Sequence, residues 1–165
     1  MADEGIEYDM VIKQEGPKKV DLSTQIDSEA IQKAYNEVRD DTSETNWLVL
    51  KYNGERIVCS GKGTSFERFK DEFGENDRAY GYIRVQMGDE MSKRQKFLLL
   101  TWVGEDVGVI KRAKMSTDKA LVKNILSNFA VELQLENKSE FDINFFKDQL
   151  NKAGGANYGT GVRDL

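Results

Sequence analysis

The chain of 165 residues has no histidine, a single cysteine and a single proline. Without histidine it lacks the commonest general base and a common metal ligand. Cys59 has no second cysteine for a disulfide and no histidine to activate it, which excludes a papain-like dyad. The sequence also has no Cys-x-x-Cys pair, no His-Glu-x-x-His motif and no Gly-x-x-x-x-Gly-Lys loop. These absences disfavour an enzyme, although catalysis by carboxylates stays open, and we expect no cofactor and no metal site.

Long hydrophobic runs are also missing, and none approaches the roughly 20 residues that span a bilayer. Apolar residues make up 39% of the chain and charged residues 32%, a balance typical of a soluble globular domain. The first ten residues are acidic and lack the charged-then-apolar pattern of a signal peptide. Together with the lone cysteine, these features lead us to expect a cytoplasmic protein with no membrane span.

The charges are unevenly distributed along the chain. The net charge is −5, yet residues 93–123 hold eight cations and three anions, a net charge of +5, so the rest carries −10. The cations of this segment are Lys93, Arg94, Lys96, Lys111, Arg112, Lys114, Lys119 and Lys123. Such segregation favours an acidic protein partner for one face, although a solvated helix surface would give the same pattern. We expect no nucleic acid because the whole chain is negative, while weak contact with anionic lipid headgroups stays open.

Hydrophobic periodicity and turn residues divide the chain into one domain with two flanking segments. Residues 1–22 are expected to be a flexible extension, residues 23–153 the domain, and residues 154–165 a flexible glycine-rich tail. Helical spacing of apolar residues predicts helices over 27–39, 64–73, 107–128 with an interruption at 115–117, and 139–152. Alternation predicts strands over 47–52, 56–59, 78–87, 96–103 and 131–135.

The order of these elements predicts an α/β (α+β) fold in which a central mixed sheet lies between helices. Asn53-Gly54 predicts the turn of a first hairpin, and the sequence GDEMSKR that of a second. The last strand follows a helical crossover, which allows parallel pairing. The sheet is expected to have five strands, or six if the N-terminal extension joins it.

The predicted strand 96–103 places Lys96 on one face with Leu98, Leu100 and Trp102. Its ammonium group should emerge at the open end of the strand, with the stem lying over apolar neighbours.

The helix that follows should carry a basic row. The residues predicted to face outward in this row are Lys111, Lys114 and Asp118. Those predicted to pack inward are Val109, Ile110 and Ala113. Arg112 and Met115 flank the row, and Lys119 and Lys123 continue it. A helix that mixes basic and apolar groups in this way suits an acidic protein groove.

Four separate stretches of the sequence resemble those of a known family. They read AYNEVRDDTSETNWLVLKYNG, GDEMSKRQKFLLLTWVGE, RAKMSTDKALVKNILSNFA and KAGGANY. In this order they resemble the coactosins, the filament-binding branch of the actin-depolymerising-factor homology family, over roughly residues 23 to 158. The resemblance implies the gelsolin/cofilin-like fold. It also implies binding to the side of filamentous actin, weak binding to the monomer, little severing, and hindrance of barbed-end capping.

The resemblance also implies which residues contact actin. Lys96 corresponds to the family's best candidate for filament contact, and residues 107–115 to its shared actin-binding helix. The full set of candidate contacts is Lys93, Arg94, Lys96, Lys111, Arg112, Lys114, Met115 and Lys119. The 22 residues at the start replace the short N-terminus and phosphorylatable serine of the cofilin branch, so we expect no phosphoregulation of that kind.

Two other functions stay open on the sequence. One is monomer binding with depolymerisation or severing, as in cofilin. The other is an adaptor that binds an enzyme through the C-terminal helix and tail, with Lys152 as its contact. We expect the protein to be a monomer on the actin cytoskeleton.

Overall fold

A computed structural model describes residues 23–89 and 91–159, with side chains up to Gly154. The expected extension, residues 1–22, lies outside the described residues, and so do residues 160–165 of the expected tail. The strands are β1 (Gln25–Ile26), β2 (Trp47–Asn53), β3 (Arg56–Gly63), β4 (Arg78–Met87), β5 (Arg94–Val103) and β6 (Val131–Leu135). The helices are α1 (Ser28–Arg39), α2 (Phe66–Asp71), α3 (Val109–Ile125) and α4 (Ile143–Gly159), with a 3₁₀ turn at Lys138–Glu140.

The strands form one mixed sheet in the order β1-β3-β2-β4-β5-β6. The two predicted hairpins are antiparallel, and β6 pairs in parallel with β5 after the α3 crossover. The predicted mixed sheet between helices is therefore confirmed. Its sixth strand is β1, which pairs in parallel with β3 and belongs to the domain, not to residues 1–22.

Each face of the sheet supports its own core. On one face α1 and α3 pack against side chains that include Leu50, Tyr82 and Leu99. On the other face α2 and α4 pack against side chains that include Leu98 and Leu100. Consecutive residues of β5 thus enter opposite cores, which is the pattern of a central strand buried on both sides.

The first turn of α3 does not pack as predicted. Val109 is 80% exposed and Ile110 is 84% exposed, and Ala113 is exposed as well, so their predicted inward packing is wrong. The buried residues of the helix are Met115, Asp118 and Val122, spaced at i, i+3 and i+7. The helix also runs without the interruption predicted at 115–117.

A buried carboxylate fixes the orientation of α3. Asp118 is only 5% exposed, and its Oδ2 accepts hydrogen bonds from Tyr52 Oη at 2.7 Å and from Thr24 Oγ1 at 2.9 Å. Tyr80 Oη donates to the carbonyl oxygen of Met115 at 3.1 Å. Burial, together with the charge of Asp118, raises the pKa of Tyr80 to about 12. The predicted outward placement of Asp118 is therefore wrong, because this side chain joins α3 to β2 and to Thr24, the residue before β1.

The last helix also differs from its prediction. The helix α4 begins at Ile143, after the short 3₁₀ turn capped by Asn137, not at residues 139–140. It continues to Gly159, beyond the predicted end at Lys152. The first residues of the expected glycine-rich tail, 154–159, are therefore helical.

Candidate functional site

The first candidate surface is the hairpin cluster, at the end of β5 nearest the β4–β5 turn. It consists of Lys93, Arg94 and Lys96. Asp89 shapes this turn because its Oδ1 accepts hydrogen bonds from the backbone N–H groups of Met91, at 2.9 Å, and Ser92, at 3.0 Å. These bonds hold the pKa of Asp89 below its ordinary value. Met91, at the tip, is 93% exposed.

An open groove of about 620 Å³ separates the hairpin cluster from the end of α1. Its lining residues are Arg39, Asp41, Gln86, Lys93, Arg94, Gln95 and Phe97. The guanidinium carbon of Arg39 lies 4.5 Å from the centre of the Phe97 ring, a cation–π contact. Arg39 thus adds a third cation to the groove. No local sequence pattern indicates Arg39 as part of this site, because its nearness to β5 depends on how α1 packs across the sheet.

Lys96 lies on the other face of β5, beside α4. Its side chain is half-buried, and its Nζ is 3.7 Å from the position that a Cβ atom at Gly154 would occupy. The placement of Lys96 on the face of Leu98 and Leu100 agrees with the predicted alternation. Lys152, the candidate contact for a second partner, is exposed on the same helix α4.

The second candidate surface is the α3 basic surface, at the start of α3. It consists of Val109, Ile110, Lys111, Arg112 and Lys114. Arg78, on β4, fixes this part of the helix, since its guanidinium stacks 3.6 Å from the Tyr52 ring centre and donates to the carbonyl oxygen of Lys111 at 3.3 Å. Arg112 donates to the carbonyl oxygen of Gly104, the residue after β5, at 3.3 Å.

The two candidate surfaces lie at opposite ends of β5. The hairpin cluster begins this ten-residue strand, and Arg112 contacts the residue that follows it. At about 3.3 Å per residue, the strand separates them by roughly 30 Å. The single basic segment of the sequence is therefore two surfaces in the fold.

The cations differ in whether they have an acidic partner. Within residues 23–89 and 91–159, no carboxylate forms an ion pair with the hairpin cluster. By contrast, Lys119 and Lys123 both bind the carboxylate of Glu132 on β6 at 2.7 Å. Lys114 lies 3.5 Å from the carboxylate of Glu55. The hairpin cluster is thus available to a partner, as are the exposed Lys111 and Arg112, whereas Lys119 is held by its own domain.

Met115 cannot serve as a surface contact. It is 2% exposed and belongs to the core between α3 and the sheet, so the prediction that it flanks the basic row is wrong. Its position follows from the orientation of α3, because Met115 and Asp118 are three residues apart and share the buried face.

Replacing Glu132 with glutamine is expected to reduce the free energy of unfolding at pH 7 by less than about 1 kcal/mol, the usual range for exposed ion pairs. Burial raises the pKa of Glu132, but the bonds from Lys119 and Lys123 outweigh it, so the pKa lies below its ordinary value of 4.5. The stabilisation of the folded state by these ion pairs is therefore fully present above pH 4.5 and is lost as the pH falls through the lowered pKa. Urea unfolding of parent and variant across this range, with exposed Glu136→Gln as the control, measures the difference.

Other kinds of site find no support in the part of the chain that the structure describes. There, no three His, Cys, Asp or Glu side chains come together in a group able to hold a metal ion. No described helix is both long enough and apolar enough to span a bilayer.

The sequence and the fold match those of a known family. The family of cofilin/tropomyosin-type actin-binding proteins matches residues 23–151. The chain belongs to this family. Human coactosin-like protein is 44% identical over 137 residues, which are 83% of this chain and 96% of that protein. Coactosin of Dictyostelium discoideum is 37% identical over 136 residues, 81% of this chain and 93% of its own length.

Solved structures of family members agree with the sheet described above. A crystal structure of human coactosin-like protein superimposes with a TM-score of 0.76 at 42% identity, covering 79% of this chain and 99% of that chain. Mouse coactosin, described as an actin filament binding protein, gives a TM-score of 0.71 at 42% identity, covering 86% of this chain and 100% of that chain. A Streptomyces griseoflavus cofilin, at 16% identity and a TM-score of 0.70, shares the fold.

Proposed function

We propose that this protein binds the side of the actin filament without catalysis, and that the hairpin cluster makes the principal contact. The observation that carries the proposal is the unpaired charge of Lys93, Arg94 and Lys96 at the end of a buried strand. Most of the strand lies in the two cores, so the cluster is presented on a rigid base. Three cations without acidic partners in the described domain attract an acidic surface with little loss of internal ion pairs.

The separation of the two surfaces suits a filament, in which neighbouring subunits can each meet one surface. A partner that touches both the hairpin cluster and the α3 basic surface must extend over roughly 30 Å. A filament provides such an extended surface because its subunits lie next to one another. A protein bound along the side in this way would also hinder capping of the barbed end. We propose that it acts as a monomer in the cytoplasm, on the actin cytoskeleton.

Binding to filaments is expected to weaken about tenfold as the salt concentration rises from roughly 50 to 200 mM, because salt screens exposed charges over about 10 Å. Cosedimentation with filaments at several salt concentrations measures this dependence. The fraction of actin that sediments without the protein, at each concentration, is the control. Affinity that stays constant over the series would show that the basic surfaces do not make the contact.

Monomer binding with depolymerisation is the second candidate function. The observation that favours it is the exposed apolar pair Val109 and Ile110 beside Lys111, a compact surface that suits one actin subunit. The rate at which pyrene-labelled filaments disassemble distinguishes side binding from depolymerisation. Side binding predicts disassembly no faster than with actin alone, whereas faster disassembly would favour this second candidate.

A further inference from the structure

The described chain begins beside the middle of α3. Thr24 is buried, and its hydroxyl donates to Asp118 on α3 at 2.9 Å. The next backbone N–H, that of Gln25, donates to the carbonyl oxygen of Glu55 at 2.8 Å. The carboxylate of Glu55 in turn lies 3.5 Å from the ammonium of Lys114. The first described residues therefore lie at α3, close to Lys114 of the α3 basic surface.

One stripe of α3 leads from this point towards the first turn of the helix, where two apolar side chains are exposed. Lys114 and Lys111 precede Asp118 by four and seven residues, so the three share one side of the helix. At about 1.5 Å per residue, they lie roughly 6 and 10 Å from Asp118 along the axis. Beyond them, Val109 is 80% exposed and Ile110 is 84% exposed.

The start of the chain complements this stripe. Residues 1–10 contain four carboxylates, at Asp3, Glu4, Glu7 and Asp9, and no lysine or arginine. Apolar side chains alternate with these acids at positions 6, 8 and 10. The acids match the cations of α3, and the apolar side chains match Val109 and Ile110. The sixteen residues from Asp9 to Thr24 reach roughly 50 Å when extended, far more than the distance to be covered.

We propose that residues 1–10 dock on the α3 basic surface and compete there with actin. The hairpin cluster is also basic, but it lies near the other end of β5 and offers one exposed apolar residue, Met91. The matched family domain begins at residue 23, so this acidic stretch precedes the part shared with the family. The contacts described above support the docking without any assumption about actin, whereas the competition rests on the proposed actin binding.

Docking is tested without actin, on the full chain. The variant Asp3→Asn, Glu4→Gln, Glu7→Gln, Asp9→Asn removes the four charges of the acidic stretch. Amide resonances of residues 109–114 are expected to shift between parent and variant in NMR spectra at low salt, and to move together as salt is added. The control variant Glu29→Gln, Glu44→Gln, Glu136→Gln, Asp148→Asn removes four exposed carboxylates elsewhere and should leave residues 109–114 in place.

Two results would overturn the docking whatever the protein does to actin. One is that the resonances of residues 109–114 are the same in parent and variant. The other is that the shifts concentrate on the hairpin cluster, Lys93 to Lys96, which would place the acidic stretch at the wrong surface.

Competition is then measured by cosedimentation with filaments. The variant without the four charges is expected to bind about fivefold more tightly than the parent at low salt, because a tethered segment acts at millimolar effective concentration. The control variant has the same change in net charge, and its affinity for filaments should increase clearly less. Equal gains in both variants, or none in either, would overturn the competition. If the parent and both variants fail to bind filaments, the proposed function fails, while the NMR result still decides the docking.

Discussion

Replacing Lys96 with alanine is expected to weaken filament binding at least tenfold, a loss of about 1.4 kcal/mol or more. Lys96 has no ion pair within the described residues, so removing its ammonium breaks no internal bond. The domain should therefore keep its stability to within about 0.5 kcal/mol. Cosedimentation gives the affinity, and urea unfolding of the same preparation gives the stability.

The matched control for this experiment is Lys123→Ala. This variant loses the same charge, but Lys123 is already bound to Glu132, so filament affinity should change less than about twofold. If Lys96→Ala sediments with filaments as well as the parent does, the assignment of the contact is wrong. If Lys123→Ala loses as much filament affinity as Lys96→Ala, the binding depends on net charge and not on a particular surface.

Replacing Asp118 with leucine is expected to lower the free energy of unfolding by about 3 kcal/mol, since each unsatisfied buried donor costs roughly 1–3 kcal/mol. The substitution removes the acceptor for the hydroxyl groups of Tyr52 and Thr24, in a part of the domain where Asp118 is 5% exposed. Burial, followed by the bonds to Tyr80 and Asp118, raises the pKa of Tyr52, so its hydroxyl stays a donor at neutral pH. Urea unfolding at pH 7 measures the loss.

Asp118→Asn is the conservative comparison. The amide keeps one oxygen that can accept a hydrogen bond in nearly the same place, so a loss of about 1 kcal/mol is expected. A leucine variant as stable as the parent would mean that this network does not hold α3 in place. The orientation of the α3 basic surface would then need another explanation.

The strands could be predicted from the sequence because their signals are local. Asn53-Gly54 supplies the turn that a two-residue hairpin requires, and Gly54 has a φ of +64° in the structure. Alternation along β5 also predicted correctly that Lys96 shares a face with Leu98 and Leu100. Local turn chemistry and a period of two thus determined most of the sheet.

The orientation of α3 could not be predicted in this way. Apolar character favoured Val109 and Ile110 as buried residues, yet a carboxylate, Asp118, occupies the buried face. Burial of Asp118 depends on the hydroxyl groups of Thr24 and Tyr52, which are distant in sequence, so no local pattern indicates it. Met115 is buried for the same reason, and the predicted contact set contained one residue that no partner can reach.

The ion pairs of the cations could not be predicted from the sequence either. Lys119 and Lys123 look as available as Lys96 in the charge pattern, but the parallel pairing of β6 with β5 brings Glu132 of β6 within reach of both lysines of α3. Arg39 joins the hairpin groove through the packing of α1, again a contact between distant segments. The candidate site therefore became specific only once the tertiary contacts were known.

Electron cryomicroscopy of filaments saturated with the full chain would locate the contact directly. The proposed interface predicts that residues 93–96 and the adjoining groove face an actin subunit, with Lys96 within hydrogen-bonding or ion-pairing distance of an acidic side chain. A complex in which the hairpin cluster faces solvent, while another part of the domain holds the filament, would contradict it.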